Sequence, residues 1–162
     1  MMSREQAEEH EARIAGQMKL AVPFAEMKPS TVSEVYWIYS TRREVGYPKP
    51  TERSGKWIVT GDAARIDEVW AKVKVDTEEG RLGGWSKVAT AKSNPTAPDP
   101  TVRAICVYTY DSDDVGDVMR IRRQLRELGV GEKIGYKTDE RTMAGAYVSA
   151  VYAPKQLRKY FE

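Results

Sequence analysis

The chain has 162 residues, with 26 Lys and Arg against 24 Asp and Glu, for a formal charge of +2. That balance excludes a uniformly basic nucleic-acid binder, so any electropositive site must be local. One histidine and one cysteine exclude a structural zinc site, which needs about four Cys or His ligands, and leave a Ser-His or Cys-His pair only His10 to recruit.

Residues 1–29 read as a polar N-terminal arm, helical or disordered, and 30–162 as a single domain. "VYWIYS" (35–40) is aromatic and β-branched and predicts a strand, although Ser30, Thr31 and Glu34 also fit a helix start. Alternation places Tyr36 and Ile38 opposite Trp37 and Tyr39, without saying which face is buried. The loop "TRREVGYPKPTERSG" (41–55) follows, with Arg42, Arg43, Lys49 and Arg53 against Glu44 and Glu52. "KWIVT" (56–60) is a second strand.

Ile66, Val69, Trp70 and Val73 recur at spacings of three and four, which predicts an amphipathic helix over about 64–76. "WSKVATA" (85–91) alternates as a strand and sets Lys87 with Ala89 and Ala91; Lys92 lies on the other face unless the strand ends first. "VRAICVYTY" (102–110) is the strongest strand and makes Cys106 a packed thiol. Asp113 or Asp114 then caps a helix over about 114–128, striped by Val118, Ile121, Leu125 and Leu128 and stopped by Gly129. Arg120, Arg122, Arg123 and Arg126 fall off that stripe and read as a solvated face. "KIGYKT" and "AYVSAVY" supply two more strands. Strands in hairpins with two inserted helices predict an α+β domain: a curved, mostly antiparallel sheet with helices on one face.

Trp57 and Trp70 lie on buried stripes, whereas Trp85, after Gly83-Gly84, is divided between core and ligand platform. The turn "GYKTDERT" (135–142) offers Tyr136 for stacking and Lys137 for a phosphate, or is a polar turn. No apolar run approaches the ~20 residues of a membrane span. The single cysteine fits a reducing compartment, so a cytoplasmic protein is expected.

"SGKW", "GRLGGWSKVATAK", "ICVYTY" and "GYKTDERT", in that order, resemble the basophilic leukaemia expressed protein family over roughly residues 35–147. That family is similar in fold to the messenger-RNA cap-binding translation initiation factor. The resemblance implies helices on the convex face of the sheet and a concave face that stacks a methylated guanine between two tryptophans, with basic residues on the phosphates. Carried over by position, Tyr47 stands where one stacking tryptophan would be, and Lys92 and Arg103 face a phosphate with Lys87 farther along the strand. Pro48 replaces the acidic residue that reads the guanine edge, so the cap specificity itself does not transfer.

The resulting expectation is a binding module, without catalytic residues, metal or cofactor, for a nucleotide, a nucleotide signal or an RNA end. Its site residues are Arg42, Arg43, Tyr47, Trp85, Lys87, Lys92, Arg103, Tyr136 and Lys137. The alternative is a lyase or phosphoryl-transfer enzyme using a lysine base such as Lys87 or Lys137. The sequence does not set an oligomeric state.

Overall fold

The computed structural model describes residues 3–95, 97, 99–139 and 158–162. Among these residues, six strands form one antiparallel sheet: β1 (Trp37–Thr41), β2 (Gly55–Gly61), β3 (Trp85–Ala89), β4 (Arg103–Thr109), β5 (Gly135–Thr138) and β6 (Tyr160–Phe161). Their order across the sheet is β1-β3-β4-β2-β5-β6. Among the described residues, three α-helices accompany them: α1 (Arg4–Ala21), α2 (Ala63–Glu78) and α3 (Val115–Glu127). The strand reading of the β1 segment therefore prevails over a helix starting at Ser30. The segment "AYVSAVY" and Thr142 lie outside the described residues.

α2 and α3 cover one face, as their stripes require. Ile66, Val69, Trp70 and Val73 of α2 join Val118, Ile121 and Leu125 of α3 over Ile38, Trp57, Val59, Val88, Ile105 and Val107. Trp57 is fully buried, and its indole N–H donates to the Val118 carbonyl at 2.9 Å, fastening β2 to α3. Asp114 is the residue that caps α3, accepting from the Asp117 amide at 3.1 Å, and Gly129 ends the helix with φ +99°.

Arg122 departs from the solvated-face reading. It is fully buried, and its guanidinium donates to the carbonyls of Val130 at 2.9 Å, Glu132 at 2.6 Å and Glu162 at 2.9 Å. Arg123 and Arg126, on the same helix, do face solvent.

α1 holds the opposite side of the molecule. Its start is a reciprocal capping box of Ser3 and Gln6, and Ala7, His10, Ile14, Met18 and Ala21 form its inward stripe. The helix runs along β1, and the Tyr39 hydroxyl donates to Gln17 Oε1 at 3.3 Å. Tyr39 and Trp37 share the face away from α2 and α3, while Ile38 enters the main core. The second apolar cluster lies on that face: Ile58, Ala104, Cys106 and Tyr108, with Trp37 and Trp85 packed against it.

Candidate functional site

The loop between β1 and β2 is held to the rest of the fold at both ends. The Arg42 amide donates to the Gly84 carbonyl at 2.9 Å, the Arg43 amide to that of Glu78 at 3.0 Å, and the Thr51 amide to that of Tyr110 at 2.9 Å. Between these ties the chain arches outward through Val45 and Gly46, where φ is +116°. Beneath the arch is a pocket of about 440 Å³, lined on the loop side by Arg42, Glu44, Tyr47 and Lys49 and on the sheet side by Trp85, Tyr108 and Tyr110. Gly83, next to the lining residue Gly84, must be glycine: a Cβ there would fall 1.9 Å from the Tyr108 carbonyl oxygen.

Four aromatic rings thus converge. Trp85 lies flat on Tyr108, with ring centres 3.7 Å apart and planes within 7°, and has Tyr39 on its other side at 6.0 Å. Tyr47 meets Tyr110 edge to face at 5.5 Å. The Tyr47 hydroxyl donates to Asp117 Oδ2 at 2.6 Å and accepts from the Tyr110 amide at 3.2 Å, so α3 fixes this ring as a wall. Burial, reinforced by the Asp117 carboxylate, pushes its phenol well above the ordinary tyrosine range. Tyr110 is pushed up to about 12, chiefly by its hydrogen bond to Asp114. Both rings are therefore neutral stacking surfaces at any physiological pH. The Arg42 guanidinium sits 5.0 Å over the Tyr47 ring.

The middle of the sheet carries a different group. Lys56 pairs across strands with Lys137 and with Tyr108, and Lys87 pairs with Cys106. These lysines are buried rather than open, at 2% exposure for Lys56, 6% for Lys87 and 2% for Lys137. Lys56 Nζ lies 2.9 Å from Asp139 Oδ1, and Lys87 Nζ stands 4.0 Å above the Trp37 ring. Burial brings Lys87 down to about 8. His10 of α1 is close enough to feel Lys87, Lys56 and Asp139; burial first, then Arg13 and the lysines, lower its pKa.

Burial also raises the Cys106 pKa. The thiol is fully buried and therefore unreactive. Cys106→Ser, which sets a hydroxyl among apolar neighbours, should cost about 1–3 kcal/mol in chemical denaturation. The native wild-type thiol should resist a soluble thiol reagent until the protein unfolds.

The nine residues singled out in the sequence thus fall in four places. Arg42, Tyr47 and Trp85 meet at the pocket, and Arg43, beside it, pairs with Glu78 at 3.0 Å. Lys87 and Lys137 belong to the covered row. Lys92 and Arg103 are elsewhere, because β4 runs from Arg103 to Thr109 and the pocket lies at its Thr109 end. Six strand steps put Arg103 roughly 20 Å from it. Lys92 rests over the Tyr36 ring at 4.4 Å, and Arg103 donates to the Pro100 carbonyl.

Tyr136 is in the core and offers no stacking surface. It is fully buried, lies edge-on to Trp57 at 5.2 Å, and shares a 2.6 Å hydrogen bond with Thr109. Its strand partner is Trp57, so alternation turns it to the helix face. Tyr108, Tyr110, Glu44 and Lys49 complete the pocket without having been singled out. Lys49 and Glu44 were visible as charges on a loop containing Tyr47; the role of Tyr110 needs the β4 register.

Among solved structures, eIF4E-3 of C. elegans, in complex with the 4E-binding protein Mextli and a cap analog, matches with a TM-score of 0.55 and 15% identity, covering 78% of this chain and 76% of that one. Ascaris suum eIF4E-3 with m7G cap matches at 0.51 and 15%, covering 74% and 72%. A schistosome eIF4E complexed with m7GpppA and 4E-BP gives 0.48 and 15%, covering 68% of this chain, which spans 60% of that one. The fold is thus the α+β fold of eIF4E. The model of the basophilic leukemia-expressed protein Bles03 family matches residues 49–144. Over that stretch, more than half its length, the sequence carries the family's pattern, and the chain belongs to the Bles03 family.

Proposed function

We propose that the protein is a binding module for a phosphorylated, base-containing ligand, a nucleotide or an RNA end, seated under the β1–β2 loop. The observation that carries this reading is the pocket's composition: Tyr47, Trp85, Tyr108 and Tyr110 form its walls, with Arg42 and Lys49 beside them. Aromatic walls suit the flat face of a base, and cations at the rim suit its phosphate. A volume of about 440 Å³ fits a ligand of nucleotide size. The likeness to eIF4E structures solved with cap compounds points the same way. By holding such a ligand, the protein would sequester a nucleotide or cover an RNA end.

This seat is narrower than the one expected from sequence. The middle of the concave face is covered, so the ligand belongs at its edge. The enzymatic alternative has one point in its favour, the Lys87 amine brought down to about 8. That amine lies in the buried row and does not line the pocket.

Calorimetric titration with nucleosides, nucleotides and short capped and uncapped RNAs, at two salt concentrations, tests the reading. At least one phosphorylated compound should bind, more weakly at high salt. Trp85→Ala should cost about 1–3 kcal/mol of that affinity. An absence of binding across the panel, or binding indifferent to Trp85→Ala, removes the proposal. Turnover in the same panel would restore the enzymatic reading.

A further inference from the structure

We infer that the ligand is a mononucleotide whose phosphate is taken by Arg42; the inference rests on the pocket reading above and adds the ligand's direction and length. Arg42 stands at the junction of β1 and the loop, its backbone fixed by the 2.9 Å bond to Gly84. Its guanidinium is layered between the Tyr47 ring and the chain at Gly80, where an added Cβ would meet Nη2 at 3.1 Å. In that position Nε and Nη1 are buried and have no hydrogen-bond partner among the described residues.

Neighbouring arginines are engaged. Arg43 is paired with Glu78, Arg53 with Asp111 at 2.6 Å, and Arg120 with Asp117 at 2.9 Å and with the carbonyls of Arg81 and Leu82. A buried donor without an acceptor has given up its water for nothing, so it gains most from an incoming anion. Guanidinium donors match phosphate oxygens in charge and geometry. A base between the aromatic walls would place its phosphate beside this side chain, with Lys49 at the mouth.

The length follows from what lies far away. Lys92 and Arg103, the cations that the resemblance set on the phosphates, are roughly 20 Å off at the other end of the sheet. A phosphate chain directed toward them would have to cross the covered middle of the concave face. Directed toward Arg42, it leaves at the protein's edge after one or two phosphates.

The test titrates the full chain with adenosine, guanosine, their 5′-mono- and diphosphates, and a short 5′-phosphorylated RNA. The readout is the ratio of nucleoside to monophosphate dissociation constants. For wild type the ratio should be roughly tenfold or more, the scale of charge-assisted hydrogen bonds. Arg42→Gln should bring that ratio close to one in a protein that still unfolds cooperatively; Arg42→Lys should fall between. Lys92→Ala and Arg103→Ala should leave the ratio as in wild type. A ratio that survives Arg42→Gln, one that falls with Lys92 or Arg103 instead, or RNA binding tenfold tighter than the monophosphate overturns the inference but keeps the pocket. No binding at all overturns both.

Discussion

Replacing Arg122 by methionine should lower the unfolding free energy by about 3 kcal/mol or more, as the loss of a buried, hydrogen-bonded charge does. Methionine replaces the aliphatic stem of the side chain but stops short of the guanidinium, which lies 5.9 Å over the Trp57 ring. It cannot donate. The carbonyls of Val130, Glu132 and Glu162 would lose their common partner, loosening the turn after α3 and the residue following β6 together. Burial disfavours the arginine's charged form, and the three carbonyls compensate for it. Arg123→Met, one residue along and exposed, should change stability by no more than about 0.5 kcal/mol. Urea denaturation of the two variants separates the readings: equal small effects would mean that Arg122 is solvated in solution.

Periodicity placed α3 but could not distinguish these two arginines. Val118, Ile121 and Leu125 define a stripe by local spacing, and that stripe is in the core. Arg122 adjoins the stripe, and its fate depends on carbonyls 8, 10 and 40 residues away, which no local pattern contains. The same division runs through the site. Alternation correctly set Cys106 and Tyr108 opposite Ile105 and Val107, because face is a property of one strand. Rim position is a property of register between strands, and antiparallel pairing puts Lys92 and Arg103 at the end of the sheet opposite Tyr47.

Tyr136 fails for a related reason. A tyrosine in a short polar strand looks like a platform until its partner across the ladder is known to be Trp57. The seat of α1 was also illegible: its stripe mixes Ala7, His10, Ile14 and Met18, which is weak as a hydrophobic signal. What fixes the helix is its capping box and its contact with β1, and only the first of these is local.

The buried row makes a pH prediction through Lys87. Unfolded, this amine holds its proton to about pH 10.5; in the fold it holds it only to about 8. Below pH 8 both states are protonated, and the fold holds a buried ammonium. Between about 8 and 10.5 the unfolded chain binds the proton that the fold has released, so this group makes stability rise with pH. Above that range it contributes nothing further. Removing the charge by Lys87→Met should therefore stabilise the protein at pH 7, by up to about 3 kcal/mol less whatever the lost contacts of the amine, that with Trp37 among them, were worth. The gap between variant and parent should close by about pH 10.5.

Two neighbours work in the opposite direction. Burial raises both the Cys106 thiol and the Tyr39 phenol, the latter to about 12, so each favours the unfolded state as pH climbs. Comparing Lys87→Met with its parent, both in a Cys106→Ser background, removes the thiol and cancels the phenol in the difference. Chemical denaturation at pH 7, 8, 9 and 10 would trace the closure. A gap that stays flat across that range would mean that Lys87 titrates as it does in water and is not buried in solution.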